Sequence, residues 1–552
     1  LRTRGEVSAD KLRGGFYTPP MLVELCLLRA STLLEGADAV RVLEPSAGDG
    51  AFLRGLAAAG SSLGRRVSDI CAIEPIREEA EKAELSLRSV GVAGKVLRRS
   101  ALSWAAETEE WFGLVIGNPP FVRYQFVGEA DRASIAQLGT RLGLVFRGVS
   151  NLWIPVLLGA LARLQPNGVL AVVLPTECFT GCSAATVREW LAREVDELTF
   201  DLFGSGSFPD VLQEVAVLSG RRTARTRSRP RDVRIVEHGR GNGHRSWSYR
   251  PRPEHRSWTR SLLDPRQLEA VEAACSLATV TRLDRVARLE VSTVTGANEF
   301  FCVDEETRAG HELQAWTKPL LARARHAPGL IVEPGDHASA RQTGARTWLL
   351  DFDAGAPDPE DRPSAKRYLE AGVRHGLADR YKCRIRQPWY RVPSVRHGSL
   401  LLSKRSHLYP RLLVNTAALH TTDTIYRGDV LAPRTLSARD LVASFHCSLT
   451  LLMVELEGRS FGGGVLELVP SEISRLAVVI GSGLGCHLRG LDTIARSQEP
   501  EALVHATDSL LVSSGLLPCE LTEPLRDGRA ALMQRRLHRG RAGASSHASA
   551  AR

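Results

Sequence analysis

The sequence predicts an α/β protein: a seven-stranded, mostly parallel, doubly wound sheet, followed by a mixed α/β domain. Three observations predict it. Between residue 39 and about residue 219, short β-rich apolar runs alternate with longer helical patterns, the arrangement of parallel strands joined by crossover helices. One of those runs leads straight into a turn of small residues, Pro45-Ser46-Ala47-Gly48-Asp49-Gly50, and then a helix. The 552 residues exceed what a single core holds, and at ~150 residues per domain they make roughly three to four units.

In chain order, a helix over 20–34 leads to a strand over 39–43, whose apolar run ends at Glu44. The glycine turn opens a helix over 51–59. A strand over 69–73 ends at Glu74, and a helix follows over 76–90. Strands over 95–99 and 114–117 come next, the second running into Asn118-Pro119-Pro120-Phe121. Helices over 152–164 and 184–194 carry apolar residues at spacings of three and four, and strands over 169–174, 197–202 and 214–219 complete the seven.

Composition narrows the class. Hydrophobic residues at 43% and charged residues at 24% suit a chain that folds, so wholesale disorder is excluded. No stretch approaches the ~20 apolar residues of a membrane helix. The charged N-terminus (Arg2, Arg4, Glu6, Asp10, Lys11, Arg13) has no signal-peptide core, which predicts a cytoplasmic protein. The chain opens on Leu1, as a fragment or an unusual start codon would leave it. Ten cysteines without a CxxC pair indicate reduced thiols, with neither a disulfide framework nor a metal site. The net charge of +10 is compatible with a polyanionic partner, although with only seven lysines the arginine bias is better ascribed to genome composition.

From residue 221 to residue 260, thirteen of forty positions are arginine, interleaved with Trp247, Tyr249 and Trp258 and cut by Pro230, Pro251 and Pro253. This predicts a linker over 221–282, with nucleic-acid contact through phosphate pairing and stacking as the alternative. Residues 283–490 form an irregular mixed domain, 491–533 a helical segment, and 534–552, poor in apolar residues, a disordered tail.

Three features carry chemistry. Gly48 and Gly50 let backbone approach a ligand at the C-terminal edge of the sheet, where open α/β folds bind cofactors. The acids Glu44 and Asp49 would repel a pyrophosphate, so a dinucleotide is disfavoured and a ligand with a cationic centre fits better. Glu74, at the end of the next strand, can accept from both ribose hydroxyls of an adenosine cofactor. In Asn118-Pro119-Pro120-Phe121 the prolines remove donors and stiffen the chain, leaving the Asn118 carboxamide oxygen and the Pro119 carbonyl to receive an amino group while Phe121 stacks on a planar ring.

These motifs, in this order, resemble the gamma class of amino-group DNA methyltransferases, the N6-adenine enzymes of type II restriction–modification systems. Gly15-Phe16-Tyr17-Thr18-Pro19 resembles the family's N-terminal cofactor motif. Glu44-Pro45-Ser46-Ala47-Gly48-Asp49-Gly50 resembles its first motif, Glu74 its second, and Asn118 to Phe121 its catalytic motif. Ser150-Asn151-Leu152-Trp153 and Gln165-Pro166-Asn167-Gly168 resemble the segments that follow. Phe208-Pro209 with Gln213-Glu214-Val215 resembles the late motif whose aromatic residue also touches the extruded base. One departure stands out: Ser100 occupies the place of the family's usual acid at the end of the third strand, which implies weaker hold on the cofactor's adenine.

The resemblance implies a class I S-adenosylmethionine-dependent methyltransferase domain over residues 1–220 and a DNA target-recognition domain over 283–490. It makes Asn118, Pro119, Pro120, Phe121 and Phe208 catalytic. The cofactor-binding residues become Tyr17, Thr18, Pro19, Glu44, Pro45, Ser46, Gly48, Gly50, Glu74, Ser100 and Asn118. Double-stranded DNA is the implied partner; whether a separate cognate restriction endonuclease exists is left open by the sequence. Arg384, Arg386, Trp389, Tyr390, Arg391, Lys404 and Arg405 are candidates for the DNA face. The rival readings are an RNA or protein-glutamine methyltransferase and a catalytically silent DNA-binding subunit. A fused nuclease built on Asp358, Glu360, Asp361 and Lys366 is a weaker rival, since no apolar strand frames them.

Overall fold

The computed structural model describes residues 17–35, 39–58, 63–144, 146, 151–204, 214–224, 232–239, 243–252, 255, 257–352, 357–461, 463–497 and 499–548. They divide into two units, one built on residues up to Asp264 and one on Pro265–Gly540.

The first unit is organised by a sheet of nine strands: β1 (Val40–Glu44), β2 (Val67–Ile73), β3 (Ala93–Leu97), β4 (Phe112–Gly117), β5 (Leu164–Pro175), β6 (Val195–Phe203), β7 (Val215–Arg222), β8 (Val233–His238) and β9 (His244–Tyr249). Their order is β3-β2-β1-β4-β5-β7-β6-β8-β9. The first five are parallel, β7 lies antiparallel between β5 and β6, and β8 runs parallel to β6. Every residue of β4 is buried, as expected of a central parallel strand with helices on both faces. Alternate residues Val42, Ile70, Ala72, Leu114, Ile116 and Val169 share one apolar cluster with α1 (Pro20–Leu33), α2 (Ala51–Ala57) and α3 (Arg77–Val90). Residues of the opposite parity, Leu43, Cys71, Val115 and Leu170, are buried as completely. Helix α1 joins that cluster through Leu22, Val23, Cys26, Leu27 and Ala30, which recur with helical spacing. Further along come α4 (Ala101–Glu107), α5 (Glu129–Leu142), α6 (Trp153–Leu161) and α7 (Ala185–Glu194).

Three expectations need correction. The sheet has nine strands where seven were expected, because residues 221–282 do not form a plain linker. They form β8, β9 and a helix, Pro265–Cys275. The alternation His244-Arg245-Ser246-Trp247-Ser248-Tyr249 puts Trp247 and Tyr249 on one buried face, where the Trp247 indole donates to the Ser261 carbonyl at 2.9 Å. Trp258 is likewise buried, edge-on to Phe200. These aromatics fill a core and are not available to stack on bases. The third correction is the tail: the helix Cys519–Ala548 runs through most of the expected disordered segment. Arg536 anchors it, its guanidinium donating to both Glu455 carboxylate oxygens at 2.9 and 2.6 Å, with both side chains buried. A buried charge satisfied in this bidentate way holds a segment that has few apolar residues.

The second unit holds a five-stranded sheet in the order Ala287–Glu290, Ile425–Val430, Leu400–Ser403, Leu412–Asn415, Ile331–Val332. Beside it, the helix Ser448–Glu457 is buried along nearly its whole length. An aromatic cluster, with Phe300 stacked on Tyr368 at 4.5 Å and Trp389 against Phe300 and Phe301, forms a separate core.

Candidate functional site

From β1 the sheet runs outward through β2 and β3, and from β4 it runs the other way through β5. The loops leaving β1 and β4 therefore diverge at a topological switch point, where α/β sheets open a cleft. The β1 loop is the glycine turn and the β4 loop is Asn118-Pro119-Pro120-Phe121.

The turn is built from constraints on backbone. Gly50 has φ 82°, and a Cβ there would stand 2.6 Å from Ser86 Oγ and 3.1 Å from the Ala83 Cα on α3. Only glycine permits that approach. Glu74 clamps the turn from β2: its Oε2 accepts from the Gly48 amide at 3.0 Å and its Oε1 from the Ile76 amide at 2.9 Å. Burial raises the Glu74 pKa, and these two amides oppose the rise. The predicted ribose acid is thus also a structural clamp, with lone pairs left on both oxygens.

Glu44 is fully buried, and among the described residues neither carboxylate oxygen has a hydrogen-bond partner. Burial, with Asp49 and Glu74 nearby, pushes its carboxyl well above the usual carboxylate range. Across the cleft, Asn118 Nδ2 donates to Thr18 Oγ1 at 3.2 Å, while Asn118 Oδ1 is buried with no partner among the described residues. Ser46 Oγ donates to the Asn118 carbonyl at 3.0 Å and ties the two loops together. Gly117, at φ 142°, faces Pro45, whose Cδ lies 3.5 Å from the position of a Cβ. The Pro120 carbonyl accepts from the Val122 amide at 3.1 Å, and no hydrogen bond from the described residues reaches the Pro119 carbonyl.

The structure therefore brings together Thr18, Glu44, Pro45, Ser46, Gly48, Gly50, Glu74, Asn118, Pro119 and Pro120. Pro19 caps α1, its carbonyl accepting from Leu22 and Val23. Tyr17 stands apart on the surface of α3, its hydroxyl donating to Glu79 Oε1 at 3.3 Å. Phe121 is half-buried and packs against the apolar cluster of the first unit. Ser100 caps α4 and donates to Asp131 Oδ1 at 2.6 Å. Phe208, Phe16 and Gly15 lie outside the described residues.

In the second unit, several expected DNA contacts have other duties. Tyr390 is buried, and Trp389, half-buried, packs against Phe300 at the edge of the same core. Arg386 donates to the carbonyls of Thr295 and Val294, whereas Lys404 and Arg405 pair with Glu467 and also line the largest basic cleft described for this unit. Asp358 caps a short turn through the Glu360 amide. A cleft of about 1050 Å³ in this unit is lined by Arg323, Arg325, Arg346 and His326. The three guanidinium groups make no hydrogen bond or ion pair with the described residues, and they join Lys404 and Arg405, which the sequence reading placed on the DNA face, without a motif of their own. Burial and the neighbouring Arg325 and Arg323 hold the His326 imidazole below its usual range.

A glycine turn after the first strand, an acid closing the second, and a seventh strand inserted antiparallel beside the fifth define the class I methyltransferase fold. Residues 255–512 match the family described as the C-terminal domain of the type II methyltransferase M.Eco57I. The type II methyltransferase M.XamI of Xanthomonas campestris pv. amaranthicola is 22% identical over 469 residues, 84% of this chain and 85% of its own. The type II methyltransferase M.TthHB8I of Thermus thermophilus is 30% identical over 187 residues, 33% of this chain and 39% of its own. Among solved structures, the type IIG restriction endonuclease BpuSI aligns with 95% of this chain and 66% of its own at 12% identity and a TM-score of 0.42. The chain is thus similar to type II methyltransferases, over residues 255–512 to the M.Eco57I C-terminal domain and over most of its length to M.XamI.

Proposed function

We propose that this chain is a site-specific DNA methyltransferase that moves a methyl group from S-adenosylmethionine to the N6 amino nitrogen of adenine in double-stranded DNA. One observation carries the reading: at the adjoining ends of β1 and β4, the Glu44 carboxylate and the Asn118 carboxamide oxygen are buried with no partners among the described residues. Buried polar atoms are nearly always hydrogen-bonded, so atoms left open at a cleft suit ligands that bring the missing donors. A lone buried carboxylate fits the cationic groups of S-adenosylmethionine, and an open carboxamide oxygen fits an amino group.

Bound S-adenosylmethionine supplies a sulfonium-activated methyl group. The chain's own residues position the acceptor. Asn118 Oδ1 and the Pro119 carbonyl would accept the two amino hydrogens and turn the nitrogen lone pair toward the methyl group, the proton lost from the nitrogen on transfer passing to solvent at the open cleft. This is catalysis by orientation and by preorganised acceptors. Thr18 and Ser46 hold Asn118 through its Nδ2 and its carbonyl. A base must leave the duplex to reach the cleft, with Phe121 beside it as the stacking surface.

Kinship with type II methyltransferases supports DNA as the acceptor, and the basic cleft of the second unit supports a polyanion there. On this reading the protein acts in the cytoplasm as a modification component. No helix of the described residues is long and apolar enough to cross a membrane. The test is expression in a methylation-free host with mapping of N6-methyladenine in its DNA. Methylation of adenine within one short sequence is expected; unmodified DNA, or methyl groups on another base, RNA or protein, overturns the reading.

A further inference from the structure

The end of β3 presents a neutral side chain to the cofactor edge, and a carboxylate from a distant segment comes to meet it. Glu74 donates its amide to the Leu97 carbonyl at 3.1 Å, so the ends of β2 and β3 adjoin, and Ser100 follows just beyond β3. Ser100 Oγ donates to Asp131 Oδ1 at 2.6 Å and accepts from the Leu102 amide at 3.3 Å. A hydroxyl has one proton and two lone pairs. The proton is committed to Asp131 and one lone pair to the helix, which leaves Ser100 a single uncharged acceptor site. Asp131 has more to offer. Its Oδ2 takes no hydrogen bond from the described residues, Oδ1 keeps a lone pair, and the side chain is half-buried and therefore reachable.

An adenosine held by its ribose at Glu74 carries its base toward the neighbouring strand end. The exocyclic 6-amino group is the strong donor on that base, and a carboxylate is its complementary acceptor. We propose that Asp131, oriented by Ser100, accepts a hydrogen bond from the 6-amino group of the cofactor's adenine. Asp131 is then a cofactor-binding residue and Ser100 its positioning residue. The inference rests on the S-adenosylmethionine reading above. A purely structural role is also open to Asp131, in the first turn of α5, where a carboxylate favours the helix N-terminus. That role has no bearing on which base is bound, and this difference is what the experiment uses.

The full-length protein is titrated calorimetrically with S-adenosylhomocysteine and with its inosine counterpart, which has a 6-oxo group in place of the 6-amino group. The wild type is expected to favour the adenosine compound about ten- to a hundredfold, the range of a hydrogen bond to a charged group. Asp131→Asn should lose most of that preference or invert it, because a carboxamide can donate to the 6-oxo group. Ser100→Asp sets two carboxylates against each other and should weaken binding, whereas the exchanged pair Ser100→Asp with Asp131→Ser should restore the preference for adenosine. The ratio of the two affinities does not depend on the fraction of folded protein, so a partly destabilised variant still gives an answer. An Asp131→Asn protein that keeps the wild-type ratio overturns the proposal. A wild type that binds neither compound overturns the cofactor reading itself, and the proposal with it.

Discussion

The Asn118 carboxamide is tethered through its nitrogen to Thr18 and open at its oxygen, whereas the Glu44 carboxylate is open at both oxygens. The two residues consequently answer to different measurements. Asn118→Ala removes an acceptor for the substrate amine and should lower methyl transfer by about 10²- to 10³-fold or more while leaving S-adenosylmethionine affinity within about twofold, measured by turnover and calorimetry on the same protein. Glu44 is a matter of pH. Its carboxyl titrates above the usual range in the folded protein, so the fold holds a proton that the unfolded chain has already released. Stability from that proton is complete below the ordinary carboxyl range and is lost as pH rises through the raised value. Glu44→Gln removes the titration. It should melt with the wild type in acid and above it toward neutral pH, by about 1–3 kcal/mol, the scale of an unpaired buried polar group. The same variant should bind S-adenosylmethionine at least about tenfold more weakly. Melting curves that coincide at every pH would show that the buried charge is not what limits stability there.

At the scale of elements, the hairpin of β8 and β9 is the segment whose role the structure changes most. If Trp247 is core, Trp247→Ala should cost about 3–5 kcal/mol of stability in denaturant unfolding, the usual range for emptying a buried aromatic site. Its DNA affinity should fall only as the folded fraction falls. A stable variant with selectively weakened DNA binding would return these aromatics to the surface. The hairpin was obscured in the sequence because arginines flank it, although the period-two placement of Trp247 and Tyr249 was there to be read. The parallel strands were legible because β4 and β5 are buried on both faces and consequently read as continuous apolar runs. The glycine turn, Glu74 and Asn118-Pro119-Pro120 were legible because each depends on local backbone. What local sequence does not carry is pairing across distance: Ser100 with Asp131, Asn118 with Thr18, or Arg536 with Glu455. Tyr390 was illegible for the converse reason, since aromatic residues beside arginines read alike whether they cover a core or a surface.

For the whole molecule, the +10 net charge says little about where a polyanion is held, because many of the described arginines pair with acidic residues of the same chain. Arg323, Arg325 and Arg346 are exceptions that share one cleft. If each meets one phosphate, replacing any one with Gln should reduce the slope of log K against log salt by about 0.9, and replacing all three by about 2.7, with sequence preference unchanged. Filter binding or anisotropy over a range of salt concentrations supplies the slopes. An unchanged slope would remove this cleft from the DNA interface; a lost sequence preference would make it a reader of bases.

The contact between Ser100 and Asp131 has a consequence for descent. With 2.6 Å between Ser100 Oγ and the Asp131 carboxylate, an acid at position 100 would face another acid, and loss of Asp131 alone would leave the serine proton without its acceptor. Neither position is free to drift singly, so the pair constitutes a two-step barrier on an evolutionary path. Homologues with an acid at the position of Ser100 should lack one at the position of Asp131, and lineages should carry one solution or the other with few mixtures between them.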